Sequence, residues 1–344
     1  MSLSRPVEFP LLKLPWLCMK CVFHNSDELD LIYFATISNR TRKIVQHSKF
    51  PLKVIDIHLN AFKQISSGDQ KAWRLTRHWY EGGVPLVLQR NSQPLPTSRH
   101  FDSCRGHHLQ TSTTGDKVDA LKMAIEFIID VFGCTIGQVI VDGNKLSDLI
   151  GLGISSAKQL RMKDAEPVNI TDLKFLLENI KVTDEYVFSA PIPANFSCDP
   201  QIFKCRKMYF GFSSSADWVT SEMLCQFDVA QLHFSDHRFS FADIVSYINY
   251  WFNSENRKLE YLHIAFNNRI SLEDLKIDHL NPMPFCEKRR NRCPLNESWW
   301  GKTDMSSGKD IFRQDGLLAT LHAFPTSIIF YIWHKRFPDA VEHN

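Results

Sequence analysis

A repeated alternation of short apolar strands and helices constrains the fold from Asp116 onward more than any other feature. The strand-like segments are QVIV, KQLRM, EYVFSA, KMYFGF, AQLHF and LEYLHIAF. The last five have central residues spaced by 27, 22, 23 and 30 positions: Leu160, Val187, Tyr209, Leu232 and Leu262. One such unit cannot bury its own apolar face, so stacking of neighbouring units must supply the core. An irregular period of this length therefore predicts a β/α solenoid.

Helix signals lie between these strands. DKVDALKMAIEFIIDVFG has a continuous apolar face, and two further helices are predicted to begin at Asn169 and Ser240, each with an aspartate three residues later in the capping pattern. The C-terminal GLLATLHAFPTSIIFYIW predicts two strands, since His322 and Pro325 interrupt it. We therefore expect an α/β protein whose leucine-rich-repeat-like solenoid ends in a β-hairpin. A nucleotide-binding sheet is disfavoured, because no Gly-rich strand-to-helix turn is present.

The stretch LPWLCMKCVF near the N-terminus predicts a helix with apolar residues on two faces. Pro15 suits the first helical turn. One face then carries Leu14, Leu17, Cys18, Cys21 and Val22. The second face carries Trp16, Met19 and Phe23. A helix that is apolar on nearly every side must be buried on more than one side.

Two more short helices are predicted immediately afterwards. SDELDLIYFATIS can be capped by Ser26 or Asp27, and SNRTRKIVQ by Ser38 or Asn39. Three short helices in about 40 residues bury little surface and cannot cover both faces of the first helix. The excess apolar face predicts a protein partner.

Residues Phe9 to Gln46 resemble an F-box of the type expanded in nematodes. The resemblance is carried by the Leu-Leu-x-Leu-Pro start, the apolar first helix, the acidic-then-apolar second helix and the tail SNRTRKIV. It implies an F-box over residues 5–46 that binds a Skp-type adaptor and, through it, a cullin-based ubiquitin ligase. The residues implied at or behind this interface are Leu14, Pro15, Leu17, Val22, Phe23, Leu29 and Ile32.

The C-terminal part resembles the type-2 F-box-associated domain that follows such F-boxes. The matching segments are LLENIKVTDEYVF, WVTSEMLCQFDVAQLHFSD, FADIVSYINYWFNSENRKLEYLHIAF and DIFRQDGLLATLHAF. This implies a domain over residues 116–335 that binds a target protein. Residues 47–115 would form a connecting region, in which NSQPLPTSRHFDSCRGHHLQTSTTGD is predicted to be a loop. IVSYINYW and PFCEKRRNRCPLNESWWGK depart from the family pattern, so the ligand surface of this chain would be its own.

The nine cysteines are scattered and odd in number, which does not predict a disulfide framework. We expect Cys18 and Cys21 to be small packing residues, as free cysteines usually are. A redox pair would need a strand before the helix, and a zinc site would need four ligands. The only matching second pair is Cys104 with His107 or His108, far along the chain.

Composition favours a soluble globular protein of the cytoplasm or nucleus. The 344 residues are 44% hydrophobic and 23% charged, and the formal net charge is +2. So small a net charge predicts no attraction to nucleic acid or membrane. Pro10, Lys13, Pro15 and Lys20 break the N-terminal apolar run, so it does not resemble a secretory signal.

Motifs for catalysis are not found. The sequence has no nucleophile elbow, phosphate-binding loop or zinc-protease pair, so we expect no enzyme activity, cofactor or metal. His233 and His237 are expected to be structural or surface histidines. The basic EKRRNR cluster is expected to be a solvated loop, and Trp299 with Trp300 suits either an interaction surface or a cap.

These features together predict the substrate receptor of a Skp–cullin–F-box ubiquitin ligase, with the F-box on the adaptor and the C-terminal domain on a target protein. The alternative is a repeat-based interaction module that acts outside a ubiquitin ligase. A third class, an enzyme with a hidden metal site, would require stoichiometric zinc.

Overall fold

The computed structural model describes residues 11–60, 63–67, 71–76, 86–90, 93–102, 106–112, 116–163, 166–211, 215–235, 237–286 and 305–334. They form a mixed α/β protein with several helices and extensive open sheet. The contacts divide these residues into two compact units. The first unit holds the described residues up to 140 together with 148–154, and the second holds 141–147 and those from 155 onward. The described helices are all too short or too polar to cross a membrane.

Three short helices open the first unit, as the sequence predicts. They are α1 (Trp16–His24), α2 (Glu28–Thr36) and α3 (Asn39–Ser48). Asp27 caps α2 by accepting a hydrogen bond from the Leu29 amide at 2.8 Å. Ser38 caps α3 in a capping box with Thr41. Both caps satisfy amides that have no partner inside their helix.

The first unit also contains a mixed sheet. Its strands are β1 (Val54–Leu59), β2 (Lys63–Ser67), β3 (Lys71–Thr76), β4 (Leu86–Arg90), β5 (Gln93–Asp102), β6 (Gly106–Ser112) and β7 (Thr135–Asp142). The strand order is β7-β1-β2-β3-β6-β5-β4, with β3 and β6 parallel. Helix α4 (Lys117–Phe132) packs on β2 and β3, where Phe127 meets the Trp73 ring edge-on at 6.4 Å. A short helix, α5 (Leu146–Leu152), follows β7.

The loop predicted inside residues 47–115 is wrong for much of its length, because β5 and β6 occupy it. Pro94 and Pro96 lie in the part of β5 that pairs with β4 alone. A strand can hold proline where only one of its sides carries ladder hydrogen bonds. The rest of β5, from residue 97 to 102, pairs with β6. Local composition therefore indicated a loop where pairing across the chain produces strands.

The second unit is built on an open sheet of nine strands among its described residues. They are β8 (Ser156–Lys163), β9 (Lys181–Ser189), β10 (Lys207–Phe210), β11 (Gln231–Phe234), β12 (Tyr261–Ala265), β13 (Met283–Pro284), β14 (Lys309–Phe312), β15 (Leu318–Phe324) and β16 (Ser327–Trp333). The order is β13-β14-β15-β16-β12-β11-β10-β9-β8. Helices α6 (Ile170–Asn179), α7 (Ser221–Gln226) and α8 (Phe241–Asn253) lie in the connections. Asn169 and Ser240 cap α6 and α8, as predicted.

The leucine-rich-repeat-like solenoid is not what the structure shows, because the sheet is open. The repeat pattern does produce parallel strands in chain order from β8 to β12. The run ends at β12, which pairs antiparallel with β16 of the predicted C-terminal hairpin. The unit therefore combines parallel strands with an antiparallel edge. The spacing of the repeats along the sequence is the same for this open sheet and for a solenoid, so it does not distinguish them.

Most of the core of the second unit lies on one face of this sheet. Leu160, Tyr186, Met208, Leu232 and Leu262 are paired neighbours and are all buried. The predicted central residues Val187 and Tyr209 are each one position off this row and point to the opposite face. A shift of one residue reverses the face of a strand.

Candidate docking surface

Helix α1 carries an uncovered apolar face. Its side chains include Leu17, which is 73% exposed, and Val22 at 38%. Leu12, in the 3-10 turn just before the helix, is also 39% exposed. Among the described residues, none buries these side chains fully. Large apolar side chains grouped in this way mark a site of interaction with another protein.

The start of α1 is set by Pro15. This residue precedes the helix with φ −54° and ψ 147°, and its carbonyl accepts the first helical hydrogen bond from the Met19 amide at 3.1 Å. Because proline fixes φ near the helical value and lacks an N–H, it defines the helix start without losing a hydrogen bond. The helix register, and therefore which side chains face outward, follows from this position.

The predicted interface residues fall into two groups. Pro15, Leu17 and Val22 are exposed and Leu14 is half-buried. Phe23, Leu29 and Ile32 are buried, at 1%, 2% and 4% exposure. The first group is available to a partner, whereas the second supports α1 from behind. The Phe23 ring contacts the Phe34 ring of α2 at 5.5 Å, which joins the two helices.

Cys18 and Cys21 are exposed, so their prediction as packing residues is wrong for this chain by itself. They share the outward face with Leu17 and Val22. The helical period placed all four residues on one face correctly, but the sequence does not show which of the two apolar faces packs inward. The inward face is that of Trp16, Met19 and Phe23, which are progressively more buried.

A shallow groove lies between α1 and α3. It is lined by Trp16, Met19, Asn39, Arg40, Lys43, Ile44 and His47. Its apolar floor is therefore bordered by the basic side chains of α3. Residues 11–50 carry six Lys or Arg and three Asp or Glu, a net charge of +3 when histidine is neutral. Sequence reasoning missed the groove, since α1 and α3 meet only in the folded unit.

Helix α3 is held against α4 by polar and ring contacts. Arg42 pairs with Asp130, and its guanidinium lies 5.1 Å from the centre of the Phe127 ring. Gln46 donates to the backbone carbonyl of Asp130 at 3.1 Å. Because α3 supports α1, these contacts fix the uncovered face within the first unit.

His233 and His237 of the second unit form hydrogen bonds and ring contacts with other residues of that unit. His237 Nε2 lies 2.7 Å from the Ala265 carbonyl, and its Nδ1 accepts from the Phe239 amide at 2.9 Å. His233 stacks between Tyr209 and His263. Among the described residues, no three His, Cys, Asp or Glu side chains are grouped to hold a metal. Cys104, the EKRRNR cluster, Trp299 and Trp300 lie outside the described residues.

Residues 199–264 match the family described as F-box associated. The matched segment runs from before β10 into β12 and covers well under half of the chain. No F-box was detected in the same comparison, so the N-terminal resemblance rests on its own residues. The predicted 116–335 boundary of this domain stays a prediction.

Two proteins of Caenorhabditis elegans are similar to part of the chain. The uncharacterized protein F59B2.8 is 28% identical over 132 residues, which is 37% of this chain and 30% of the relative. The uncharacterized protein F59B2.9 is 28% identical over 137 residues, which is 37% of this chain and 31% of the relative. The aligned region thus spans less than a third of either relative. No solved structure matches the chain.

Proposed function

We propose that this chain is the substrate-receptor subunit of a Skp–cullin–F-box ubiquitin ligase. Helix α1 would dock on a Skp-type adaptor, and the second unit would bind a target protein. The observation that carries the proposal is the uncovered apolar face of α1, with Leu17 73% exposed. The F-box-associated match at residues 199–264 supports a target-binding role for the second unit.

The docking surface favours a partner that presents both apolar and acidic side chains. Full burial of a side chain such as Leu17 contributes about 1.5–3 kcal/mol. The groove beside α1 adds an apolar floor and the positive charges of Arg40 and Lys43. A partner surface that combines apolar side chains with carboxylates complements both features.

The receptor would make and break no bonds itself. It would hold a target near the ubiquitin-charged conjugating enzyme and so raise the effective concentration of the target's lysines. Neither a metal nor a cofactor is part of this mechanism. The complex would work in the cytoplasm or the nucleus, where such ligases act.

The test is copurification of the full chain with a recombinant Skp-type adaptor, comparing wild type with Leu17→Asp. A carboxylate on the outward face would have to be desolvated in the interface, so we expect at least tenfold weaker binding. Phe175→Asp is the matched control, because Phe175 is also an exposed apolar side chain on a helix, at 48%. This control should bind the adaptor as wild type does.

One outcome would contradict the proposal, and another would favour the alternative function. An adaptor that binds wild type and Leu17→Asp equally would exclude α1 as the docking element. Binding of the adaptor without any cullin in the complex would favour an interaction module that acts outside a ubiquitin ligase.

A further inference from the structure

Among the described residues of the second unit, one face of the sheet carries no connecting helix. Strands β8 to β12 are parallel and follow one another in chain order. Right-handed crossovers that all advance in one direction place every connection on the same face. Contacts agree with this, since Trp218 and Phe227 in the connections pack on Phe210 of the core face. We call the opposite side the helix-free face.

Three rings form a ladder across the helix-free face. Tyr209, His233 and His263 are in-register neighbours on β10, β11 and β12. The centroids of the Tyr209 and His233 rings are 4.4 Å apart, and those of the two histidines are 4.3 Å apart. The planes differ by 21° and 20°, so the rings are stacked and turn their edges outward from the sheet.

The edges of this ring ladder offer hydrogen-bonding groups. The Tyr209 hydroxyl and His233 Nε2 lie 3.2 and 3.0 Å from the Ser235 hydroxyl. His263 is 6% exposed, and its Nδ1 has no hydrogen-bond partner within the described part of the chain. A buried polar atom without a partner costs free energy, which a bound ligand could recover.

The side chains around the ring ladder are basic on the side of β8 and apolar on the side of β16. Lys163 and Lys207 lie on the helix-free face toward β8 and form no ion pair with a described residue. Arg161, also on this face, pairs with Glu185 at 3.4 Å. Toward β16 the face is bounded by an apolar cluster that includes Phe285, Met305, Ile329, Tyr331 and Trp333, with Tyr261 packed against it.

We propose that the helix-free face binds an extended acidic segment of a target protein. Its carboxylates would meet Lys163 and Lys207, its backbone would hydrogen-bond along the ring ladder, and an apolar side chain would contact Tyr261, which lies half-buried at the margin of the Phe285–Met305 cluster. The F-box-associated match contains Lys207 and the whole ring ladder. The inference rests on the proposed receptor role, because it names the surface by which that role would be performed.

The experiment selects binders from a displayed library of random 12-residue peptides on the full-length chain. We expect the selected peptides to be rich in Asp and Glu around an apolar residue. They should bind Lys163→Glu/Lys207→Glu at least tenfold more weakly than wild type. The control Lys174→Glu/Lys204→Glu carries the same charge change in the α6 and β9–β10 connections and should bind within twofold of wild type.

Several results would overturn the proposal: recovery of no binder, binders without acidic bias, or equal losses in both double variants. Binding of a 20-nucleotide single-stranded DNA through Lys163 and Lys207 without any acidic peptide would also overturn it. Adaptor copurification separates this test from the receptor role. Lys163→Glu/Lys207→Glu should retain the adaptor, whereas Leu17→Asp should lose the adaptor and keep the peptide.

Discussion

At the scale of single residues, Leu17 and Phe23 show how one short helix serves two purposes. Both are large apolar side chains of α1, but Leu17 is 73% exposed and Phe23 only 1%. A buried side chain contributes to the free energy of folding, whereas an exposed apolar side chain contributes mainly to the free energy of binding. Phe23 stabilises the fold, whereas Leu17 gains its apolar contacts only when a partner covers it.

Phe23→Ala should lower the free energy of unfolding of the first unit by about 3–5 kcal/mol, because it removes a buried ring and leaves a cavity. Leu17→Asp should change it by about 0.5 kcal/mol or less, as surface substitutions usually do. Urea unfolding followed by circular dichroism measures both. A large loss of stability in Leu17→Asp would mean that α1 packs inward on the face assigned to a partner.

The exposed thiols give a second residue-scale prediction. Cys18 and Cys21 should react with N-ethylmaleimide well before Cys134 and Cys205, which are buried. Burial also raises the pKa of the Cys134 thiol to about 11 and that of Cys205 to about 12, which further slows their reaction. Alkylated wild type should lose the adaptor, since the added groups would stand on the docking face.

Cys18→Ala/Cys21→Ala provides the control for this experiment. The double variant should bind the adaptor before and after treatment, because alanine leaves the face apolar and unreactive. Loss of binding in the untreated double variant, with the fold intact, would contradict the account and point to a role for the thiols themselves.

At the scale of elements, helices were the most predictable part of the chain. The caps at Asp27, Ser38, Asn169 and Ser240 and the apolar periods are local signals, and the structure confirms the helices they predict. Strand registers depend on partners elsewhere in the chain. For this reason the predicted strand centres Val187 and Tyr209 do not lie in the buried row, and the proline-containing β5 has the local composition of a loop.

The ring ladder makes the stability of the second unit depend on pH. Burial lowers the pKa of His233 to about 3, with some repulsion from His263, and lowers that of His263 to about 4. An unfolded histidine titrates near 6.5. Between pH 6.5 and 4 the unfolded chain therefore binds more protons than the folded chain, so stability falls as the pH is lowered. Each histidine contributes a slope of about 1.4 kcal/mol per pH unit.

Urea unfolding of wild type and His233→Gln between pH 7.5 and 4.5 tests this prediction. The variant should lose less stability on acidification, because one neutral imidazole has been replaced by an amide that does not titrate. Equal slopes in the two proteins would show that His233 is not held uncharged in the fold.

At the scale of the whole molecule, the sequence could predict the uncovered face of α1 but not the groove beside it or the ring ladder. The face follows from a helical period within ten residues. The groove requires α1 and α3 to meet, and the ladder requires three strands to pair in register. The sequence also predicts strand–helix repeats and a C-terminal hairpin, but the antiparallel pairing of that hairpin with β12 is non-local and is not predicted.

The docking role of α1 is tested by the affinity of the full chain for a Skp-type adaptor, measured for wild type, Leu17→Asp and Phe175→Asp. We expect wild type and Phe175→Asp to bind equally and Leu17→Asp to bind at least tenfold more weakly with its fold intact. Equal binding by all three proteins, or no binding by wild type, would contradict this role.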